Sequence, residues 1–164
     1  MIALFKRRPI LFWKPRKDDI IQADVRNQFP TLQTDFGVVD MQVLPDFQDL
    51  DNKALIAQNQ FRWQQTILIA GGVITASLGA LQAALPKDKW PGITEGIIAA
   101  LLTAVGFIAQ SLGSQKKYYS NRLKAELLRG EYFLFLGKLG TYNDDSSRVQ
   151  NLIRRVTEIQ AEEK

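Results

Sequence analysis

The segments TILIAGGVITASLGALQAAL (66–85) and ITEGIIAALLTAVGFIAQSL (93–112) decide the fold of this chain. The first has no charged side chain, and the second has only Glu95, near its start. A helix of about 20 residues is roughly 30 Å long, which matches the hydrocarbon core of a bilayer. The two segments therefore predict two transmembrane helices. Two buried helices of a soluble bundle are disfavoured, because such helices usually carry a polar stripe.

The connection between the segments, PKDKWPG (86–92), predicts a short loop outside the cytoplasm. Its two prolines and its glycine end the helices, and Trp90 suits the headgroup region. The loop has two lysines offset by Asp88, whereas cations are more numerous beyond the outer ends of the spans. These flanking cations are Lys53, Arg62, Lys116, Lys117, Arg122, Lys124 and Arg129. Since cytoplasmic flanks carry the excess of Lys and Arg, both termini are expected in the cytoplasm.

Composition argues against an enzyme. The 164 residues include no Cys and no His, which removes thiol nucleophiles, disulfides, imidazole bases and the commonest metal ligands. Glycine-rich phosphate loops of the GxxxxGK[ST] or GxGxxG type are also missing. We expect no catalytic residues, no cofactor and no metal site.

The first 45 residues are interpreted as a basic, aromatic arm followed by a loop. Prolines 9 and 15 prevent one continuous helix, and no small-residue cleavage site marks a signal peptide. Three roles are open for the arm: binding the anionic membrane surface, binding an acidic partner or nucleic acid, or acting as a simple tail. The lipid surface is favoured over nucleic acid. The side chains expected at that surface are Arg7, Arg8, Trp13, Arg16 and Lys17. The segment GVVDMQVLP (37–45) fits a short strand or extended stretch, and an ordered loop is favoured.

Polar helices are predicted on the other sides of both spans. Residues 46–65 contain no helix breaker and lead directly into the first span. Residues 113–142 extend the second span, with an apolar face predicted at Tyr119, Leu123, Leu127 and Phe133 or Leu134. A last helix, 145–163, carries a stripe that includes Leu152, Val156 and Ile159 and should fold back onto residues 113–142 or onto another subunit. Packing in this region is assigned to Glu131, Tyr132, Phe133, Leu152, Val156 and Ile159. The predicted fold is thus an all-α transmembrane hairpin with long cytoplasmic helical extensions and a C-terminal fold-back helix.

Small residues recur every four positions within the spans. They are Gly72, Ala76 and Ala80 in the first span, and Gly96, Ala100 and Ala104 in the second. Such stripes let helix backbones approach closely in lipid. They could serve the hairpin alone, or association between subunits. Association is favoured, because polar side chains in hydrocarbon require partner helices or a water-lined cavity.

Polar side chains of the spans define a candidate pore lining, which comprises Thr75, Gln82, Glu95, Thr103 and Gln110. Glu95 has a simpler interpretation, as a carboxylate that compensates the dipole of the first helical turn and faces headgroup water. The alternative is a ring of carboxylates at the mouth of an oligomeric pore. The simpler interpretation is favoured.

The stretch RLKAELLRGEYFLFLGKLGTYND (122–144), after a two-span hairpin, resembles the SLATT family of small prokaryotic two-transmembrane proteins. The resemblance covers about 54–159, and the matching residues are Glu126, Leu127, Glu131, Tyr132, Phe133, Tyr142, Arg148 and the stripe 149–159. SLATT proteins are thought to be pore-forming effectors, often of nucleotide-triggered antiviral systems. The resemblance implies a multi-pass protein of the prokaryotic inner membrane, and it favours an oligomeric pore or ion channel. The alternative is a non-enzymatic scaffold or accessory subunit that anchors a protein partner on the cytoplasmic side.

Overall fold

Helices make up the regular structure of the part of this protein that the structure describes. The computed structural model describes residues 19–162, and this part of the chain contains no β-strand. The α-helices are α1 (Ala23–Arg26), α2 (Gln33–Gln42), α3 (Leu44–Ala84), α4 (Trp90–Leu112), α5 (Ser114–Leu136) and α6 (Arg148–Ala161). Short 3-10 turns lie at Pro30–Leu32 and Gly140–Tyr142. The expectation of an all-helical fold is confirmed for the described residues, whereas the basic arm, with Arg7, Arg8, Trp13, Arg16 and Lys17, lies outside them.

Helix α3 is one uninterrupted helix of 41 residues. Pro45 is tolerated because the first turn of a helix has no internal partner for its N–H groups, and Asp46 lies at the positive end of the helix dipole. The helix ends at Ala84, two residues before Pro86. The predicted segments 46–65 and 66–85 therefore belong to a single element.

Helix α4 begins at Trp90, three residues earlier than predicted from the apolar run. Pro91 occupies the first turn instead of preceding it, which suits its fixed φ. The helix ends at Leu112 and is followed by Gly113, whose φ of 58° is left-handed, as is common just after helix ends. Helix α5 starts at the next residue and ends at Leu136, short of the predicted 142. Lys138 has a left-handed φ of 51°, and the N–H groups of Lys138 and Leu139 bond back to carbonyls of the last turn, which ends the helix.

Two helices are long and apolar enough to cross a membrane. They are Leu44–Ala84 and the segment Trp90–Leu136, whose most apolar windows have mean hydropathies of 1.8 and 1.9. Only 6% and 0% of the residues in those windows are buried within the chain. The core helices of a soluble bundle would be mostly buried.

The expected loop over 20–45 is not what the structure shows, since α2 occupies Gln33–Gln42. Phe36, Val39 and Val43 are buried at helical spacing in the hydrophobic core. The β-branched residues that indicated an extended segment thus pack as one face of a helix. Burial of that face overrides their local preference.

The described chain divides into two compact units, each with its own contacts. We call residues 57–116 the hairpin unit, and residues 19–56 with 117–162 the terminal unit. The core of the terminal unit joins α2, the start of α3, α5, the turn at Tyr142 and α6. The predicted packing residues Tyr132, Leu152, Val156 and Ile159 all lie in this core.

Candidate functional site in the apolar hairpin

The two apolar helices pack along a tight inner seam within the hairpin unit. Gly71 is buried there, and a Cβ atom at this position would overlap the side chain of Leu102. The glycine therefore permits close approach of α3 and α4. Because the predicted small-residue stripe begins at Gly72, one position further along, the seam and the stripe lie on different faces of α3.

Polar side chains occupy the seam near the tight loop. The Gln82 side-chain oxygen accepts a hydrogen bond of 2.8 Å from the backbone N–H of Gly92. The carboxylate of Glu95 packs against Gly79, where an added Cβ would lie 3.3 and 3.4 Å from its two oxygens. Gln82 and Glu95 are therefore engaged between the two helices of one hairpin.

The hydroxyl groups of both apolar helices are satisfied locally. Thr75 donates a hydrogen bond of 2.9 Å to the carbonyl of Gly71, and Thr103 donates one of 2.8 Å to Ala99. Such bonds to the preceding turn let a hydroxyl lie in apolar surroundings. Thr103 is exposed in the single chain, whereas Thr75 is half-buried.

The small-residue stripes face outward. Every predicted member is exposed, namely Gly72, Ala76, Ala80, Gly96, Ala100 and Ala104. A Cβ at Gly72 or Gly96 would meet no atom within 4 Å. The stripes are therefore not what holds this hairpin together, and Gly71 and Gly79 have that role instead.

A cavity of about 380 Å³ lies at the end of the hairpin away from the tight loop. Its apolar wall is formed by Phe61, Leu68, Gly106 and Ala109. Its polar wall comprises Gln64, Gln65, Gln110, Ser114, Gln115 and Lys116. Gln110, a predicted pore-lining residue, therefore borders this cavity. The sequence offered one signal for it, the glutamines at the ends of the apolar runs, with Gln64 and Gln65 before the first run and Gln110 and Gln115 around the end of the second.

The terminal unit is held by buried polar contacts as well as by its core. The Tyr142 hydroxyl donates a hydrogen bond of 2.5 Å to Glu131, which also accepts one of 3.3 Å from Arg155. Burial and the bond to Glu131 raise the pKa of Tyr142. Bonds to Glu158 and Glu131 raise the pKa of Arg155. Glu131, predicted to pack, is thus the centre of a buried hydrogen-bond network.

A second network surrounds Tyr132. Arg26 donates a hydrogen bond of 3.3 Å to the Tyr132 hydroxyl and also pairs with Asp40. Burial raises the pKa of Tyr132 to about 12, although the positive charge of Arg26 lowers it. The bond to Asp40 raises the pKa of Arg26 against the effect of its burial. This network connects α1, α2 and α5.

The apolar face predicted for the helix after the second span is wrong. The side chains assigned to it are exposed, with Tyr119 at 60%, Leu123 at 52% and Phe133 at 47%. The buried face instead contains Ala125, Leu128, Tyr132 and Phe135. These four residues also recur at helical spacing, and Glu131 beside them carries the polar network. The prediction was based on the large apolar side chains of α5 and therefore assigned burial to the neighbouring face.

A smaller cavity of about 210 Å³ lies in the terminal unit. It is lined by charges of both signs, including Asp19, Asp51, Arg122 and Arg129. Arg122 forms ion pairs with Asp51 and with Glu126, and its guanidinium lies 2.5 Å from the Glu126 carboxylate. Because its arginines face carboxylates, this cavity has no net preference for an anion. Within residues 19–162, no group of three or more potential metal ligands is found.

Comparison with known proteins places the chain in a family. Neither the curated proteins nor the solved structures include a match to it. A family model described as "Protein of unknown function (DUF4231)" matches residues 47–150, which is more than half of the chain. The match includes all of α4 and α5 and all but the first three residues of α3. The chain therefore belongs to the DUF4231 family.

Proposed function

We propose that this protein is a homo-oligomeric membrane protein whose hairpin crosses the prokaryotic inner membrane twice and whose subunits surround a pore. The outward stripes of small residues carry the proposal. The inner seam of the hairpin is filled by its own contacts, at Gly71 with Leu102 and at Gly79 with Glu95. The stripes at Gly72 and Gly96 remain free to approach helices of other subunits, where van der Waals packing is the main attraction in lipid.

One face of α4 is the best candidate for a water-facing surface. Thr103 and Gln110 lie two helical turns apart, and Ser111 lies beside Gln110, all three exposed in the single chain. Gln82 and Glu95 are less suitable than their sequence positions indicate, because they are used within the hairpin. The proposed lining is therefore narrowed to Thr103, Gln110 and Ser111.

Both termini are proposed to be cytoplasmic, because the cations outside the spans outnumber those of the tight loop. Membership of the SLATT family is proposed from the residues between Glu126 and Ile159 that resemble it. This resemblance supports a role as an effector of antiviral defence. The basic arm is proposed to bind the anionic leaflet.

Ion flux through reconstituted protein tests the pore. The chain has no cysteine, so single cysteines can be introduced without background. In liposomes, a charged thiol reagent should block flux through Thr103→Cys and Gln110→Cys. It should leave Leu101→Cys unaffected, because that side chain is 62% exposed and belongs to the large apolar residues expected to face lipid. Absence of flux, or equal block of all three variants, would contradict the pore.

A membrane scaffold is the second candidate. It is favoured by the exposed side chains Tyr119, Leu123 and Leu127 of α5, which offer an apolar surface in the terminal unit. Liposomes without flux, together with a partner that co-purifies and is lost in Leu123→Asp, would support the scaffold over the pore.

A further inference from the structure

The cavity at the end of the hairpin away from the tight loop is unlike the cavity of the terminal unit. None of its described lining residues is acidic, and Lys116 gives it a positive charge. Four glutamines add side-chain amides, each of which can donate two hydrogen bonds. This chemistry suits an anion with several acceptor oxygens.

Ser114 provides an independent sign of a missing ligand. The residue is 2% exposed and lines the cavity, and its hydroxyl oxygen has no hydrogen-bond partner among the described residues. Buried hydroxyl groups are normally paired, because an unpaired one costs free energy. Ser114 is also the first residue of α5, so the first backbone N–H group of this helix lies at the cavity.

The opposite wall of the cavity is apolar. Leu68 and Gly106 belong to the two apolar runs, whereas Gln64 and Lys116 lie beyond them. The cavity therefore extends from within the two apolar runs to the polar residues just beyond their ends. A ligand that fills it needs an anionic head and an apolar part, and about 380 Å³ is within the range of small-molecule sites.

We propose that this cavity binds the phosphate headgroup of an anionic phospholipid, with Lys116, Ser114 and the side-chain amides of Gln64, Gln65 and Gln115 around the phosphate and the first part of an acyl chain against Leu68 and Gly106. Basic pockets between membrane helices commonly bind anionic headgroups. The inference rests on the proposed membrane location but not on the pore. It assigns the site a ligand that would hold the ends of both spans together.

Retention of lipid by the full-length protein tests the site. Protein is reconstituted with equal amounts of phosphatidylglycerol and phosphatidylcholine, extracted in mild detergent, and its bound lipid is measured by mass spectrometry. Phosphatidylglycerol should be enriched, and Lys116→Gln should lower the enrichment about fivefold, the effect expected for one nearby cation. Lys117→Gln is the matched control, because it removes the same charge from an exposed side chain that does not line the cavity. Equal losses in both variants would overturn the proposal.

Two further measurements make the result specific. Gly106→Leu should fill the cavity and abolish enrichment, since an added Cβ meets only Leu68, at an ordinary 3.9 Å, while helicity measured by circular dichroism stays unchanged. Unchanged enrichment in this variant would overturn the site. Displacement of the lipid by soluble glycerol phosphate would overturn the lipid assignment in favour of a free phosphate ester. A protein that enters the bilayer but enriches no lipid contradicts this site alone, whereas a protein that stays outside the bilayer contradicts the membrane proposal as well.

Discussion

Arg148 donates hydrogen bonds of 2.6 and 3.1 Å to the two carboxylate oxygens of Asp35, which lies 113 residues earlier in the chain. Both side chains are nearly buried, at 14% and 8% exposure, and the guanidinium lies 4.9 Å from the ring centroid of Phe135. The hydrogen bond to Asp35 raises the pKa of Arg148. One ion pair thus joins α2 to α6 within the terminal unit.

Removal of one partner of this pair should destabilise the terminal unit strongly. Arg148→Met leaves the Asp35 carboxylate buried and unpaired, and the expected loss is about 3 kcal/mol of unfolding free energy. Arg154→Met is the control, since that side chain is 64% exposed and its 3.8 Å pair with Glu158 is worth less than about 1 kcal/mol. Denaturant unfolding measures both losses. The double variant Asp35→Leu/Arg148→Met should lose less than the sum of the single changes, and additive losses would contradict direct coupling.

Two phenylalanines on α5 should differ sharply when truncated. Phe135 is fully buried in the core, whereas Phe133 is 47% exposed. We expect Phe135→Ala to cost about 3–5 kcal/mol, because it leaves a cavity, and Phe133→Ala to cost much less. Thermal unfolding of the two variants compares them directly. A larger loss of stability from Phe133→Ala would show that the face of α5 predicted from the sequence is the buried one.

The sequence was most informative where composition alone decides the structure. Long uncharged runs and the proline-rich connection predicted two long helices joined by a short turn, and the structure contains them. The choice of buried face on α5 was harder, because Phe133 and Phe135 are both large and apolar. Which of the two is buried depends on contacts with α2 and α6, which lie far away in sequence. The helix at Gln33–Gln42 was missed for the same reason, since its stability comes from burial of Phe36 and Val39 in that shared core.

The hairpin seam shows the same limitation. A four-residue repeat of small residues identified Gly72 and Gly96, yet the repeat does not say which partner a face meets. The close contact is made by Gly71. Only the rotation of the two helices about their axes, which tertiary packing sets, distinguishes these adjacent glycines.

Stability should fall at alkaline pH because of Tyr132. Its pKa rises from 10.0 to about 12 in the folded state, chiefly through burial. Below pH 10 the phenol is neutral in both the folded and the unfolded state, so its contribution to the free energy of unfolding is fully present. As the pH rises towards 12, the unfolded chain loses the proton first and the folded state is progressively disfavoured. Tyr132→Phe should therefore show a shallower decline of unfolding free energy over this interval, and an equal decline would contradict the assignment.

Single cysteines should report the topology, since the chain has none of its own. Asp88 lies in the tight loop between α3 and α4, and Ser146 lies just before α6. In intact cells, a thiol reagent that cannot cross membranes should label Asp88→Cys and leave Ser146→Cys unlabelled. Both should react once the cells are opened. The reverse pattern, or labelling of both variants in intact cells, would contradict two spans with cytoplasmic termini.

Gly71 and Gly72 should separate folding of the hairpin from association of subunits. Leucine at Gly71 would collide with Leu102, so Gly71→Leu should lower the melting temperature of the hairpin. Leucine at Gly72 meets open space within the chain, so Gly72→Leu should fold normally but block close packing against another subunit. Native mass spectrometry in mild detergent should therefore find Gly72→Leu as a monomer and the unaltered protein as an oligomer. Ile69→Leu is the control, because it changes an exposed apolar side chain without adding bulk to the stripe. If Gly72→Leu retains the full assembly, the small-residue stripe of α3 is not the interface.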